Sequence, residues 1–334
     1  MNGRFERVLV TGGAGFIGSH VAEALLRHGA HVAVVDSLDP FYPAHRKHSN
    51  LAQVRRAGEF QFHECDIRQE SAMRRVFAAA RPEAVIHLAA RPGVRPSIEE
   101  PRLYEQVNVG GTLNLLELAR ESGVRQFVFA SSSSVYGANS PVPFREDHFE
   151  LRPISPYGAT KLAGELLCHT YAHLHNLPVI CLRLFSVYGE RQRPDLAIHK
   201  FTSLIEAGKP VPVFGDGTSG RDYTHVDDTV AGVLAALEYE PAPAAGAAPF
   251  EVFNLGNSRL VKLDDLVTLL ESAAGKLALR ERQPFPPGDV PLTWADTTKS
   301  EQLLGYHPAM RLEAGIEQFV AWYRATRVAR MAYA

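Results

Sequence analysis

Cysteine is scarce: Cys65, Cys168 and Cys181 are the only three in 334 residues, each in an apolar context. Their spacing fits neither a disulfide framework nor a metal site, so reduced, buried thiols of a cytoplasmic protein and no bound metal are expected. Long apolar runs are missing too. None approaches the roughly 20 residues needed to cross a bilayer. The opening "MNGRFERVLVTGG" runs directly into a strand pattern without a charged, apolar and small-residue leader. No membrane partner is expected. An excess of either charge is also lacking. Lys and Arg number 35 against 37 Asp and Glu, a formal net charge of -2. Nothing in that balance favours nucleic acid or an anionic surface.

What remains is ordinary for a soluble protein, 46% hydrophobic and 22% charged. The length predicts two lobes, or one large α/β domain with an appendage. Short β-branched runs alternate with helical patterns through the first half. "RVLVTG", "HVAVVD", "FQFHECD", "AVIHLAA", "QFVFASS" and "VICLRLF" read as buried strands. "SHVAEALLRHG", "ESAMRRVFAAA" and "TLNLLELARESG" read as helices, and "DPFYP" as a loop. This alternation predicts an α/β, doubly wound parallel sheet of Rossmann type. Beyond Ser186 the pattern becomes irregular, with helix-like "AIHKFTSLIEAG" and "LDDLVTLLESAAG" and a surface loop at "YEPAPAAGAAPF". Residues 1–185 are read as a dinucleotide-binding domain. Residues 186–334 form a smaller, interleaved α/β substrate domain, with a segment near 222–256 returning to the first sheet.

"GGAGFIG" supplies Gly12, Gly15 and Gly18, with Phe16 and Ile17 between them, after a strand and at the start of a helix. Glycines there allow a tight turn and a close approach to a pyrophosphate seated on the helix N-terminus. Asp36 ends the second strand, where a carboxylate accepts ribose hydroxyls and repels a 2′-phosphate. The pattern therefore favours NAD over NADP. Asp66, beside Ile67, either meets the adenine edge or caps the following helix. Leu88, Ala89 and Ala90 put small residues at the fourth strand end, where a dinucleotide needs room.

"SPYGATK" places Tyr157 and Lys161 four apart, on one helix face. A lysine ammonium ~4–5 Å from the phenol, at an effective dielectric of ~20, favours the phenolate by roughly 3–4 kcal/mol. The pair is a candidate base near neutral pH. Just upstream, "SSSSVYG" follows a strand, with four hydroxyls and no carboxylate.

These features together resemble the extended short-chain dehydrogenase/reductases, and among them the nucleotide-sugar epimerases. The resemblance covers about residues 7–323. It implies NAD as cofactor, Tyr157 as base and Lys161 as its electrostatic partner and ribose ligand. Ser132, three residues before the valine of "VYG", would hydrogen-bond the reacting sugar hydroxyl. "GDGTSGRDYTHVDD" resembles the segment that holds a nucleotide diphosphate, with Arg221 on the phosphates. "PPGDVPLTWAD" resembles the nucleotide-ribose segment, with Asp289 as its carboxylate. Galactose-type epimerases tend to carry an arginine at Pro286 and an asparagine at Ser186. Sugar 4,6-dehydratases carry an Asp-Glu pair before "VYG", and UDP-glucuronate decarboxylases a glutamate directly before the valine. Here those positions are Ser133 and Ser134, which cannot act as carboxyl acids or bases.

"VYGERQRPD", "GVR" and "PGDVP" are similar to UDP-glucuronate 4-epimerases. That likeness implies C4 epimerisation of UDP-glucuronate to UDP-galacturonate through a transient 4-keto sugar, and a homodimer. Arg193, with Arg95 second, is the candidate to grip a sugar carboxylate bidentately, helped by Ser132, Ser134 and Ser186. The alternative for Arg193 is an ordinary ion pair with Asp195 or Glu190. A UDP-glucose/UDP-galactose epimerase, a decarboxylase and a catalytically silent NAD-binding scaffold are the competing readings.

Overall fold

The computed structural model describes residues 3–241 and 246–332. Six strands alternate with helices from the start: β1 (Arg7–Thr11), β2 (His31–Asp36), β3 (Gln61–Glu64), β4 (Ala84–His87), β5 (Gln126–Ser132) and β6 (Val179–Leu184). The chain then leaves this sheet for β7 (Ser186–Tyr188), β8 (Pro210–Phe214) and β9 (Gly220–His225). It comes back as β10 (Phe250–Leu255) before β11 (Leu260–Lys262), β12 (Leu279–Gln283) and β13 (Leu292–Thr293).

The large sheet has the order β10-β6-β5-β4-β1-β2-β3, and every neighbouring pair in it is parallel. This is the doubly wound order, extended by one strand beyond β6. Alternate residues of the strands serve opposite faces. Val8, Val10, Val32 and Val34 pack with Val21, Leu25, Val233 and Phe253 on one side. Leu9, Val35, Val85 and Phe127 pack with Phe77, Leu115 and Cys168 on the other. Buried on both faces, these strands read as continuous apolar runs rather than alternating ones. All three cysteines are buried and unpaired.

The second layer system is smaller. β11, β9, β13 and β7 form one short sheet and β12 pairs with β8. The helices Ala197–Glu206 and Leu263–Ala274 pack there with the last helix through Phe201, Ile205, Leu266, Leu270 and Phe319.

The expected loop around residues 39–43 is present, but a helix that the pattern did not suggest follows it at Ala44–Ala57. Its buried stripe is Lys47, Asn50, Leu51 and Val54, half of it polar, so hydrophobic periodicity is weak. The surface loop expected across 239–250 falls partly on 242–245, outside the described residues.

Candidate active site

The carboxyl ends of β1, β2, β4, β5 and β6 open into one cleft of about 1030 Å³. All the candidate residues named from the sequence line it, from Gly12 and Asp36 at one end to Arg221 and Asp289 at the other. Its volume is at the upper limit for single small-ligand sites, roughly 300–1,000 Å³. The far wall comes from residues that follow β6, including Arg193, Arg221 and the 285–290 segment.

At the glycine end, Gly12 has φ +72°, and a Cβ there would lie 2.7 Å from the Ala89 nitrogen. Only glycine fits both demands. A Cβ on Gly15 would meet nothing closer than the Gly12 carbonyl at 3.0 Å and the Tyr42 hydroxyl at 3.9 Å. The helix Phe16–Arg27 begins there with no side-chain cap and no acidic residue in its first turn. Gly15, Phe16, Ile17 and Gly18 at this helix start line the cleft, which suits a pyrophosphate. Ile17, Leu88 and Ala90 line the same end.

Asp36 is buried and accepts from the Leu38 amide at 2.9 Å, the Ala14 amide at 3.2 Å and the Lys47 ammonium at 3.0 Å. Lys47 offsets the carboxylate charge, so repulsion of a 2′-phosphate is weaker than Asp36 alone implies. Lys47 is a site residue that sequence reasoning missed. Its signal was a lysine in the otherwise apolar and amide stripe of the Ala44–Ala57 helix. Asp66 does not cap the following helix, whose N-cap is Gln69. The Arg68 guanidinium grips Asp66 at 2.6–3.1 Å instead and holds its carboxyl below the usual range.

The chemical end is set by the helix Pro156–His175. Ser155 caps it, accepting from the Gly158 amide at 3.1 Å, and Pro156 sits in the first turn. Asn176 closes it in the left-handed conformation. The helix start is pressed onto the serine segment, because a Cβ on Gly158 would lie 2.6 Å from the Ser134 carbonyl. Tyr157 is thereby brought to Ser132, whose hydroxyl interacts with the phenol. Ser132 Oγ also lies 3.2 Å from both Ser134 Oγ and the Ser134 amide, so it caps the following turn as well. Ser133 lines the cleft beside them.

Ser131 has a different role. It donates to Glu165 at 2.5 Å. Glu165 is held bidentately by Arg183 at 3.0 and 2.8 Å, and all three side chains are buried. The network welds the end of β5 to the helix that carries Tyr157 and Lys161. Asn108, in a single π-helical turn, joins the same helix at Thr160 (3.1 Å) to the Arg91 backbone. Glu165, Arg183 and Asn108 gave no motif signal, because their partners are 17 to 52 residues away in sequence.

Two electrostatic features mark the Tyr157–Lys161 pair. Burial raises the Tyr157 pKa above its ordinary value, and the interactions that lower it come from Ser132 and Arg193. Lys161 is not among the groups that lower it. Its ammonium donates to the Ala130 carbonyl at 2.7 Å, and burial pushes its own pKa down to about 8. The i, i+4 spacing puts both side chains on one face, but the strand end captures the ammonium.

Arg193 lies at this end, with its guanidinium 5.7 Å from the Phe41 ring centroid. Its Nε and Nη2 donate to the two Asp195 oxygens at 3.0 and 2.9 Å. Ser186 is nearby at the start of β7. Arg95, the second candidate for a sugar carboxylate, lines the same cleft. It lies over the Phe214 ring at 4.4 Å and 3.7 Å from Asp289, which is also 3.8 Å from Arg221. That cluster brings two cations and one carboxylate together where a nucleotide diphosphate and its ribose would be held.

A dinucleotide turn, a serine at the end of β5 beside a Tyr-Lys pair on the helix Pro156–His175, and a second, cationic subsite define a nucleotide-dependent enzyme. Residues 8–256 match the NAD dependent epimerase/dehydratase family, and the chain belongs to it. UDP-glucuronate 4-epimerase of Thermodesulfobacterium geofontis is 42% identical over 315 residues, covering 94% of this chain and 95% of that protein. The UDP-glucuronic acid 4-epimerase of Bacillus cereus, solved with UDP-glucuronic acid and NAD, superposes with a TM-score of 0.88. It is 38% identical, with 96% of this chain and 99% of that one covered. A UDP-glucose 4-epimerase of Thermotoga maritima, solved with UDP-glucose, gives 0.87 at 37% identity, with 96% and 99% covered. Fold similarity alone therefore does not separate acidic from neutral sugars.

Proposed function

We propose that this protein is an NAD-dependent isomerase that inverts C4 of UDP-glucuronate to give UDP-galacturonate. The observation that carries the reading is Arg193 in the same cleft as Ser132 and Tyr157, close enough to the phenol to favour its anion. A cation at the reacting end has a use if the sugar carries a carboxylate there.

The glycine turn, Asp36 with Lys47, Asp66 and Ile67, and Leu88 to Ala90 would hold the cofactor. Tyr157 and Lys161 would meet its nicotinamide half. Bound NAD supplies a hydride acceptor for the sugar C4 hydrogen. Tyr157 takes the C4 hydroxyl proton and later returns it, while Ser132 hydrogen-bonds the same oxygen. The phenol needs added positive charge to ionise, because burial alone disfavours its anion. Lys161 fixes Tyr157's helix to the strand end and keeps an ammonium close by. Arg221, Asp289 and Arg95 anchor the UDP moiety.

A 4-keto hexuronate is a β-keto acid, which loses CO2 when the carboxylate bond aligns with the carbonyl π system. Arg193, with Ser132, Ser134 and Ser186, would hold the carboxylate out of that alignment. The serine segment contributes no carboxylic acid for elimination, and Glu165 behind it is fully engaged by Ser131 and Arg183. This disfavours dehydration and decarboxylation. Two further assignments follow. Exposed Leu113, Leu166 and Leu174 on the helices Gly111–Glu121 and Pro156–His175 favour a homodimer through that face. The buried free thiols favour a cytoplasmic setting. The chain divides into lobes at about residue 185, with β10 contributed back to the first.

The test is separate incubation with UDP-glucuronate, UDP-glucose and UDP-xylose, with identification of the product sugars. UDP-galacturonate from the first, without pentose, supports the reading. Turnover of UDP-glucose alone would replace it with the neutral-sugar epimerase, the nearest competitor given the Thermotoga maritima structure.

A further inference from the structure

The sequence offers Arg193 as a carboxylate ligand, yet its fork is already occupied. Nε and Nη2, the two parallel donors that a carboxylate grips side-on, are taken by Asp195 at 3.0 and 2.9 Å. Both residues line the cleft and sit on one tight turn, where the Leu196 amide donates to the Arg193 carbonyl at 3.2 Å. Asp195 is the more exposed partner, 38% against 18% for Arg193. Among the described residues Arg193 Nη1 donates to no protein group. The Phe41 ring covers the guanidinium at 5.7 Å, and Arg91 reaches the same ring at 4.9 Å.

We infer that Asp195 is a specificity-determining residue, an internal carboxylate that competes with an acidic sugar for Arg193. The inference rests on the functional reading above. An anionic sugar has two ways to reach this cation. It displaces Asp195 from the Nε/Nη2 edge, or it takes the Nη1/Nη2 edge with Asp195 a few ångströms away. Either way the two anions oppose each other, and at ~5–7 Å in a partly solvated cleft that opposition is not negligible. A neutral hydroxymethyl group meets no such opposition. Asp195 therefore narrows the margin by which the site prefers acid over neutral sugar. It also gives Arg193 a counter-ion in a half-buried setting where an unpaired cation is costly.

The experiment measures dissociation constants and kcat/KM for UDP-glucuronate and UDP-glucose with wild type, Asp195→Asn and Asp195→Ser. The acid-over-neutral ratio is expected to rise about tenfold in both variants. In an Arg193→Leu background the same substitutions are expected to raise the ratio by less, because the competition for the guanidinium is gone and only the direct repulsion between the two anions is relieved. A ratio that stays constant or falls on Asp195→Asn and Asp195→Ser overturns the inference and leaves Asp195 as a loop brace. Wild type that binds UDP-glucuronate but never inverts it overturns the functional reading instead, and the binding ratio still decides the role of Asp195.

Discussion

Replacing Lys161 with methionine should make the protein more stable and inactive. Lys161 is 4% exposed, and its pKa falls from an ordinary 10.5 to about 8. Keeping it charged at pH 7 therefore costs folding about 3 kcal/mol. Methionine removes that cost and fills a similar volume. It also leaves the Ala130 carbonyl without its 2.7 Å donor, a loss of about 1–2 kcal/mol. The net gain at pH 7 is about 1–2 kcal/mol by these two estimates. The pH dependence gives the sharper check. Between pH 8 and 10.5 the folded protein holds fewer protons at this site than the unfolded chain, so wild-type stability from this group rises with pH. Lys161→Met should thus lead at pH 7, lose that lead by pH 10, and show no turnover at either. Urea unfolding of both proteins at the two pH values measures it. A variant less stable than wild type by the same margin at both would refute the reasoning, because burial of charge would then not be the cost.

The buried network behind the serines gives the remaining predictions. Glu165→Gln leaves Arg183 as an uncompensated buried cation and should cost about 3–5 kcal/mol in unfolding free energy. Ser131→Ala removes one hydrogen bond from an intact ion pair and should cost only about 1–2 kcal/mol, read in the same denaturation series. Equal losses from the two would show that the network is not organised around the ion pair.

Much of this site was legible because its signals are local. The glycine turn is specified within seven residues by what a strand-to-helix turn needs, and Asp36 follows from the next strand end. Tyr157 and Lys161 share a helix face at any i, i+4 spacing. The parallel sheet followed from runs buried on both faces, such as β1 and β5. What the sequence hid depends on approaches between distant segments. Lys47 reaches Asp36 only because an amphipathically weak helix folds back over the glycine turn. Lys161 donates to the Ala130 carbonyl, a partner 31 residues away in sequence. Arg95 goes to Asp289 because the 285–290 segment crosses to the helix Val94–Glu99, with Gly288 within 3.0–3.3 Å of Ile98 and Val94 by its virtual Cβ. The pairing of Arg193 with Asp195, an alternative visible two residues along, needed coordinates to be chosen.

Tyr157→Phe tests the proton-transfer role directly. With UDP-glucuronate as substrate, kcat should fall about a thousandfold, within the ~10²–10⁴ range of a lost general base. KM and the amount of NAD that copurifies should stay within a few-fold, because the ring still fills its place beside Tyr104. Inversion at wild-type speed by Tyr157→Phe would contradict the phenol as the group that takes and returns the C4 proton.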